Sequence, residues 1–308
     1  MAFELRPLTL AELLDRSFST YKHHLWLFAG IMAAPASVGL LYAMVMQVLQ
    51  FTVLAPDPAP SGRPTPEQAA LVMAPVAIGA ILFLVVYMVL YAFALGATTI
   101  AVAHLYRDRM VTVAAAYREV RRHVPRLVLT MLLAAVRIAA VWFGLMTAAF
   151  LVGIALAFIA PILTPVVVVI GFVVSVVPAF YMGIRYGMAV PAVVLEDLGP
   201  ARALARSVEL TEGHRGRVFL LILCAVVITY AAALLLQGPF MMAAVVAGPE
   251  SVTAFVLMLF GAVLGSLGGM FSGPIMIIGL AMLYYDLRIR KEALDLQMML
   301  EALDAPRT

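Results

Sequence analysis

Arg137 is the residue of this chain whose surroundings most demand a chemical explanation. It stands 11 residues beyond Arg126, and from Ile138 to Ile184 no Asp, Glu, Lys or Arg follows it. At ~1.5 Å of rise per helical residue it falls roughly 16 Å along an apolar helix, near the middle of a ~30 Å hydrocarbon layer. A charge at that depth costs at least ~2.5 kcal/mol on insertion scales, which makes an ionisable residue there a candidate for function. The long apolar segments contain no Asp or Glu, so its partner is not an intramembrane carboxylate of this chain. Two accounts compete. In one, Arg137 is held by backbone carbonyls that prolines deprive of donors: Pro35, Pro178 and Pro274 break their helices and free the carbonyls of Ile31, Val174 and Met270. In the other, the broken helices line a cavity where Arg137 binds an anion such as a phosphate or carboxylate headgroup. Gly265, Gly268, Gly269, Gly273 and Pro274 mark the last apolar segment as the most prone to break, although small residues also allow ordinary close packing.

The remaining polar residues offer less. His23, His24, His104, His123 and His214 show no metal-ligand spacing with a carboxylate or thiol, and the single Cys224 excludes a disulfide framework or a cysteine-based zinc site. Phosphate loop, nucleophile elbow and dinucleotide fingerprint are all missing from the sequence. Catalysis needs a base, a nucleophile or a metal, so the expectation is a protein that is not an enzyme and carries no cofactor or metal. Arg16, Lys22, Arg121, Arg122 and Arg206 lie on short helices with apolar opposite faces, and they read as anchors for anionic lipid headgroups rather than nucleic-acid contacts.

The elements that carry these residues follow from composition. Of 308 residues 65% are hydrophobic and 12% charged, against about a quarter charged in soluble chains, and mean hydropathy is +1.06. This is a membrane protein. The stretches free of Asp, Glu, Lys and Arg run over Leu25–Pro56, Gln68–Tyr106, Ile138–Ile184, Val218–Pro249 and Ser251–Tyr285. Each exceeds the ~20 residues of one crossing, and the third is long enough for two, turning at Pro161 and Pro165. Six spans are therefore predicted, near 25–53, 71–104, 127–159, 164–185, 218–246 and 252–285. Eighteen of the 20 Lys and Arg residues fall in the N-terminal segment, in the second-to-third and fourth-to-fifth connections, or in the tail; Arg63 alone lies on the other side. That bias predicts both termini in the cytoplasm of a cell whose inner membrane holds the protein. Glu4, Glu12 and Asp15 argue against a cleavable signal peptide.

The short segments are patterned too. Thr9 and Glu12 form a capping box before a stripe of Leu10, Leu13, Leu14, Phe18 and Tyr21. Val113, Ala116, Tyr117 and Val120 oppose Arg118, Arg121 and Arg122; Pro200 and Gly213 bracket a third helix with Leu204, Ser207, Val208 and Thr211 on one face. Such helices should lie in the membrane interface. At an offset of 190, Leu14, Arg16, Ser17 and His24 match Leu204, Arg206, Ser207 and His214; at 91, His123 and Arg126 match His214 and Arg217. The order of elements thus suggests three units, about 1–105, 106–195 and 196–285, each an interfacial helix, a turn near a histidine and a two-span hairpin. Ala55–Pro66 reads as a flexible external loop. From Asp286 a tail helix is expected, with Asp286–Arg290 and Arg288–Glu292 pairs four apart and a stripe of Ile289, Ala293, Leu296, Leu300 and Leu303.

Three motifs, Arg6-Pro-Leu-Thr-Leu-Ala-Glu-Leu-Leu-Asp-Arg16, Ala189-Val-Pro-Ala-Val-Val-Leu-Glu196 leading to Ala203-Leu-Ala-Arg-Ser207, and Tyr284-Tyr-Asp-Leu-Arg-Ile-Arg-Lys-Glu292, resemble the bacterial family labelled glycerophosphoryl diester phosphodiesterase membrane domain. The resemblance covers nearly the whole chain and implies fold and location rather than activity, because the catalytic barrel fused to such domains in relatives has no room here. The sequence thus predicts an all-α, six-span transmembrane bundle. Its expected function is that of a non-catalytic membrane scaffold or partner-binding subunit, touching anionic lipids and a membrane or cytoplasmic protein. The alternative is a transporter or lipid-handling protein with its anion site at Arg137.

Overall fold

The structure is a computed structural model that describes residues 8–52, 66–248 and 251–292. Among them every regular element is helical: α1 (Leu10–His23), α2 (Leu25–Thr52), α3 (Pro66–Tyr106), α4 (Val113–Val120), α5 (Val124–Ala157), α6 (Thr164–Arg185), α7 (Ala189–Leu195), α8 (Pro200–Thr211), α9 (Arg215–Ala247) and α10 (Val252–Glu292), with one 3₁₀ turn at Pro161–Leu163. Six of them, α2, α3, α5, α6, α9 and α10, are long and apolar enough to cross a membrane, and the protein is a membrane-embedded, multi-pass helical bundle. The ends are set by local chemistry. Thr9 Oγ1 accepts from the Glu12 amide (3.2 Å) while the Glu12 carboxylate accepts from the Thr9 amide (2.8 Å), closing the expected capping box. Thr112 and Ser251 cap α4 and α10, Pro200 opens α8, and Gly213 leaves it at φ +79°. His24, His123 and His214 each stand at the junction of a short helix with the following span. The loop 55–65 and the stripe residues from Ala293 onward lie outside the described residues; α10 itself continues unbroken through Asp286 to Glu292.

The core sits at one end. Buried side chains concentrate in Leu8–Met32, Ala92–Leu105, Ala116–Leu127, Ile184–Leu210, Val218–Leu221 and Ile275–Ile289, the end that also carries the arginines and is called the basic end below. Farther along, the spans expose large apolar residues such as Leu41, Val45, Ile78, Leu82, Phe143, Phe150, Val169 and Leu234. Hydrocarbon is as apolar as these side chains, so nothing drives them together there. α10 packs most extensively on α9 and α2, and α5 on α6; α2 meets α3 less than it meets α10.

Two expectations change. The helices run continuously through Pro35, Pro178 and Pro274, so these prolines are not helix breaks. Each removes one backbone bond, and a neighbour can supply the lost donor: the Tyr117 hydroxyl of α4 donates to the Ile31 carbonyl freed by Pro35 (2.5 Å), and the Tyr21 hydroxyl of α1 donates to Phe271, beside the carbonyl freed by Pro274. The other change is in which face of α1 is buried; the short helices rest on spans, α1 on α10, α4 on α3 and α8 on α5 and α7. In α1 the buried face is Leu13, Ser17, Thr20 and Tyr21, while Phe18 is 40% exposed. Ser17 can face inward because its hydroxyl is satisfied by the Leu13 carbonyl within the helix (2.7 Å).

Candidate functional site

At the basic end the three motifs of the resemblance meet in one polar clamp. Asp286, 1% exposed, accepts from the Leu8 amide (2.7 Å) and pairs with Arg217 (2.8 Å) and Arg290 (3.0 Å); both arginines also donate to the Leu8 carbonyl. Alongside, Glu196 pairs with Arg206 (3.0 Å) and accepts from the buried Tyr284 hydroxyl, Arg206 also reaches Glu292 and Glu209, and Arg288 bridges Glu292 (2.9 Å) and Glu196 (3.4 Å). Every charge is answered within the cluster. Burial opposes the charge of Arg206, but hydrogen bonds to Glu196 and Glu292 outweigh it and hold the guanidinium more firmly protonated than usual. Arg206 is therefore an internal strut rather than the lipid anchor expected, because α8 turns it toward Glu196 and the end of α10. The i,i+4 pairs of the tail were the visible sequence signal for this clamp; Glu196 and Arg217 had none. Among the other expected anchors, Lys22 and Arg121 are exposed, Arg122 donates to the His123 ring (2.9 Å), and Arg16 is partly buried with its Nη1 atom lacking a hydrogen-bond partner among the described residues.

His123 is 2% exposed, accepts at Nε2 from Arg122, and holds Nδ1 3.3 Å from the Asp197 carboxylate, out of alignment for a hydrogen bond. Burial and then the adjacent Arg122 push its pKa below the usual histidine range, against the pull of Asp197. A base whose folded pKa is depressed takes up its proton first in the unfolded chain. Stability is then present above the unfolded value near ~6.5 and falls as pH drops below it, by at most ~1.4 kcal/mol per unit, until the folded ring protonates too. Melting of the wild type between pH 7.5 and 5.5 should show this loss, and His123→Gln should show less of it; equal losses would exclude His123 as a source.

Arg137 lies on α5, within a span and against α6. Cβ atoms built on Gly171 and Gly153 would meet Ala149 and residues Thr164 and Val168, an antiparallel register that sets Arg137 opposite Gly183, close to the end of α6 at Arg185. Its distance from the far end of α5 at Ala157 is 20 residues, ~30 Å, a full hydrocarbon thickness. The start of α5 also meets α7 and α8 at the basic end. Arg137 is exposed and makes no hydrogen bond or ion pair among the described residues, so the carbonyl clamp is not what holds it.

The mid-span region contains a cavity of about 480 Å³ between α2, α3, α9 and α10. Gln47, Tyr87, Tyr91, Thr229, Gln237 and Ser266 reach it, together with Pro35, Gly265, Gly269 and Gly273. No charged side chain lines it. Gln237 is ten residues from the end of α9, ~15 Å in, half the hydrocarbon depth. Where a Cβ on Gly265 would stand, the Gln237 carboxamide oxygen is 2.8 Å away, so the glycine gives that amide its room; around Gly269 and Gly273 nothing lies within 4 Å. The glycines thus form a smooth wall instead of a helix break. Ser266 donates to the Ala36 carbonyl (3.1 Å), whereas Gln47, Tyr87, Tyr91, Thr229 and Gln237 are partly exposed and make no side-chain hydrogen bond among the described residues. A cavity along the proline- and glycine-bearing helices was expected, but around Arg137, which does not line it; its polar lining had no sequence signal, since those residues come from four separate spans and none is charged. Among the described residues no group of three or more His, Cys, Asp or Glu is arranged to hold a metal ion.

A family model described as a domain of unknown function (DUF7847) matches residues 35–287, most of the chain. No curated protein and no solved structure matches it.

Proposed function

The chain belongs to the DUF7847 family, and from that premise and the geometry we propose a non-catalytic, lipid-handling membrane protein whose cavity takes an uncharged amphiphile. The carrying observation is the convergence of five side chains without hydrogen-bond partners on one uncharged hollow at mid-span. Donors and acceptors left unmade in hydrocarbon cost free energy, and a ligand with ester, hydroxyl or amide groups would satisfy them while its chains lie along the apolar walls. Partner binding through the short helices has less support, because their apolar faces are occupied by the spans. A scaffold role would instead use the α5–α6 hairpin, where exposed Phe143, Phe150 and the unpaired Arg137 offer a surface to a membrane partner with an acidic group. In this reading the basic end faces the cytoplasm of the inner membrane, as the Lys and Arg excess favours. Because the three motifs of the resemblance meet in the buried clamp, we read it as common descent with the glycerophosphoryl diester phosphodiesterase membrane domains.

The test is mass spectrometry of organic extracts from purified wild type, Gly269→Leu and Gln237→Leu. Wild type should retain a neutral amphiphile near one per chain. Gly269→Leu fills the hollow and should lose it by about tenfold, with melting showing both variants folded. Equal retention in all three would reject the cavity as the site.

A further inference from the structure

A second set of side chains stands apart from both the clamp and the cavity, where α6 ends and α9 begins. The Arg185 guanidinium lies 5.8 Å from the Tyr181 ring centroid and that of Arg215 lies 5.2 Å from it; Arg215 also donates to the Tyr181 hydroxyl. Both arginines are partly buried, and the Nε atom of each is buried without a hydrogen-bond partner. Among the described residues no carboxylate pairs with either one, in contrast to Arg206, Arg217, Arg288 and Arg290 nearby. Two cations gathered on one aromatic ring repel each other, and cation–π attraction of ~0.5–2 kcal/mol offsets this only in part.

The arrangement is also held in place. The fully buried Ser207 hydroxyl donates to the Arg185 carbonyl (2.6 Å) and accepts from the Met188 amide (3.0 Å), fixing the turn that follows α6. A Cβ on Gly187 would stand 3.3 Å from Val218, so the same turn is seated closely on the first turns of α9. On the same helix, Phe180 next to Tyr181 and Val177 one turn before Tyr181 are exposed and present apolar surface on the hydrocarbon side of the arginines.

We propose that Arg185 and Arg215, gathered on Tyr181, bind the phosphate group of an anionic phospholipid whose acyl chains lie against Val177 and Phe180. Guanidinium forks match phosphate oxygens in charge and geometry, and an aromatic face orients them without competing for the anion. Free inorganic phosphate offers the same chemistry; the exposed apolar side chains next to the site are what favour a lipid. The site is distinct from the cavity, so its test does not depend on the cavity's ligand.

The experiment uses the full chain in a neutral detergent, titrated with phosphatidylglycerol, phosphatidylcholine or inorganic phosphate and read by native mass spectrometry and by melting. Phosphatidylglycerol should bind and raise Tm, and phosphatidylcholine should do so far less. Arg185→Gln with Arg215→Gln should weaken phosphatidylglycerol binding by about tenfold, Arg185→Lys with Arg215→Lys by a smaller factor, and Arg118→Gln not at all. The lysine pair keeps the charge and carries the test if the glutamine pair does not fold. A rise in Tm from inorganic phosphate equal to that from phosphatidylglycerol would support the phosphate site and overturn the lipid as its source. Phosphatidylglycerol affinity unchanged in both arginine pairs would overturn the proposal.

Discussion

Asp286→Ala should lower stability by about 3–5 kcal/mol, the cost of removing one partner from a buried ion pair. The carboxylate is 1% exposed and faces Arg217, Arg290 and the Leu8 amide, so its loss leaves two guanidiniums without a countercharge and a backbone donor without an acceptor. Equilibrium unfolding in detergent, followed by helical circular dichroism, is the measurement. Pairing Asp286→Leu with Arg217→Met should restore much of the loss, because an apolar pair avoids the desolvation that the ion pair carries. A single variant that melts with the wild type would mean that Arg217 and Arg290 find other partners and that the clamp is dispensable.

Leu204→Asp should be comparably damaging. Leu204 is fully buried on α8; its burial contributes ~1.5–3 kcal/mol, and a carboxylate in its place adds an unpaired charge. Leu13→Asp on α1 should behave alike, while Phe18→Asp, at a position 40% exposed, should cost less. If Phe18→Asp destabilised as much as Leu13→Asp, the buried face of α1 would be the one that its apolar stripe suggested, not the one centred on Leu13 and Ser17.

That contrast shows what a sequence carries and what it hides. The six spans were legible because hydrocarbon thickness imposes a length on any charge-free helix, and the Thr9–Glu12 box because capping is local. Ser17 was hidden: a hydroxyl looks polar in the sequence, and its bond to Leu13 becomes relevant only once the helix exists. Pro35 looks like a break until Tyr117, contributed by another element, arrives as a donor to the freed Ile31 carbonyl. Arg206 resembled Arg121 in composition and surroundings, and only the fold brings Glu196 and Glu292 to it. Arg137 drew attention by its charge, whereas Gln47 and Gln237, neutral and distant in sequence, converge on the cavity without any signal of spacing.

The packing of α2 on α10 also sets the order in which the molecule can be completed. The two helices end at Thr52 and Glu292, so 240 residues separate them, and at ~5–20 residues per second a ribosome takes roughly 12–50 s to bridge that interval. Throughout it the α2 surface destined for α10 has no partner, and neither does the Leu8 amide that Asp286 will receive. A span made well before α10 is thus among the last to be finished. Until then its exposed face must be sheltered by the insertion machinery or by lipid, and a chain halted before α10 would leave α2 and the start of α1 unlocked, open to the proteases that clear incomplete membrane proteins.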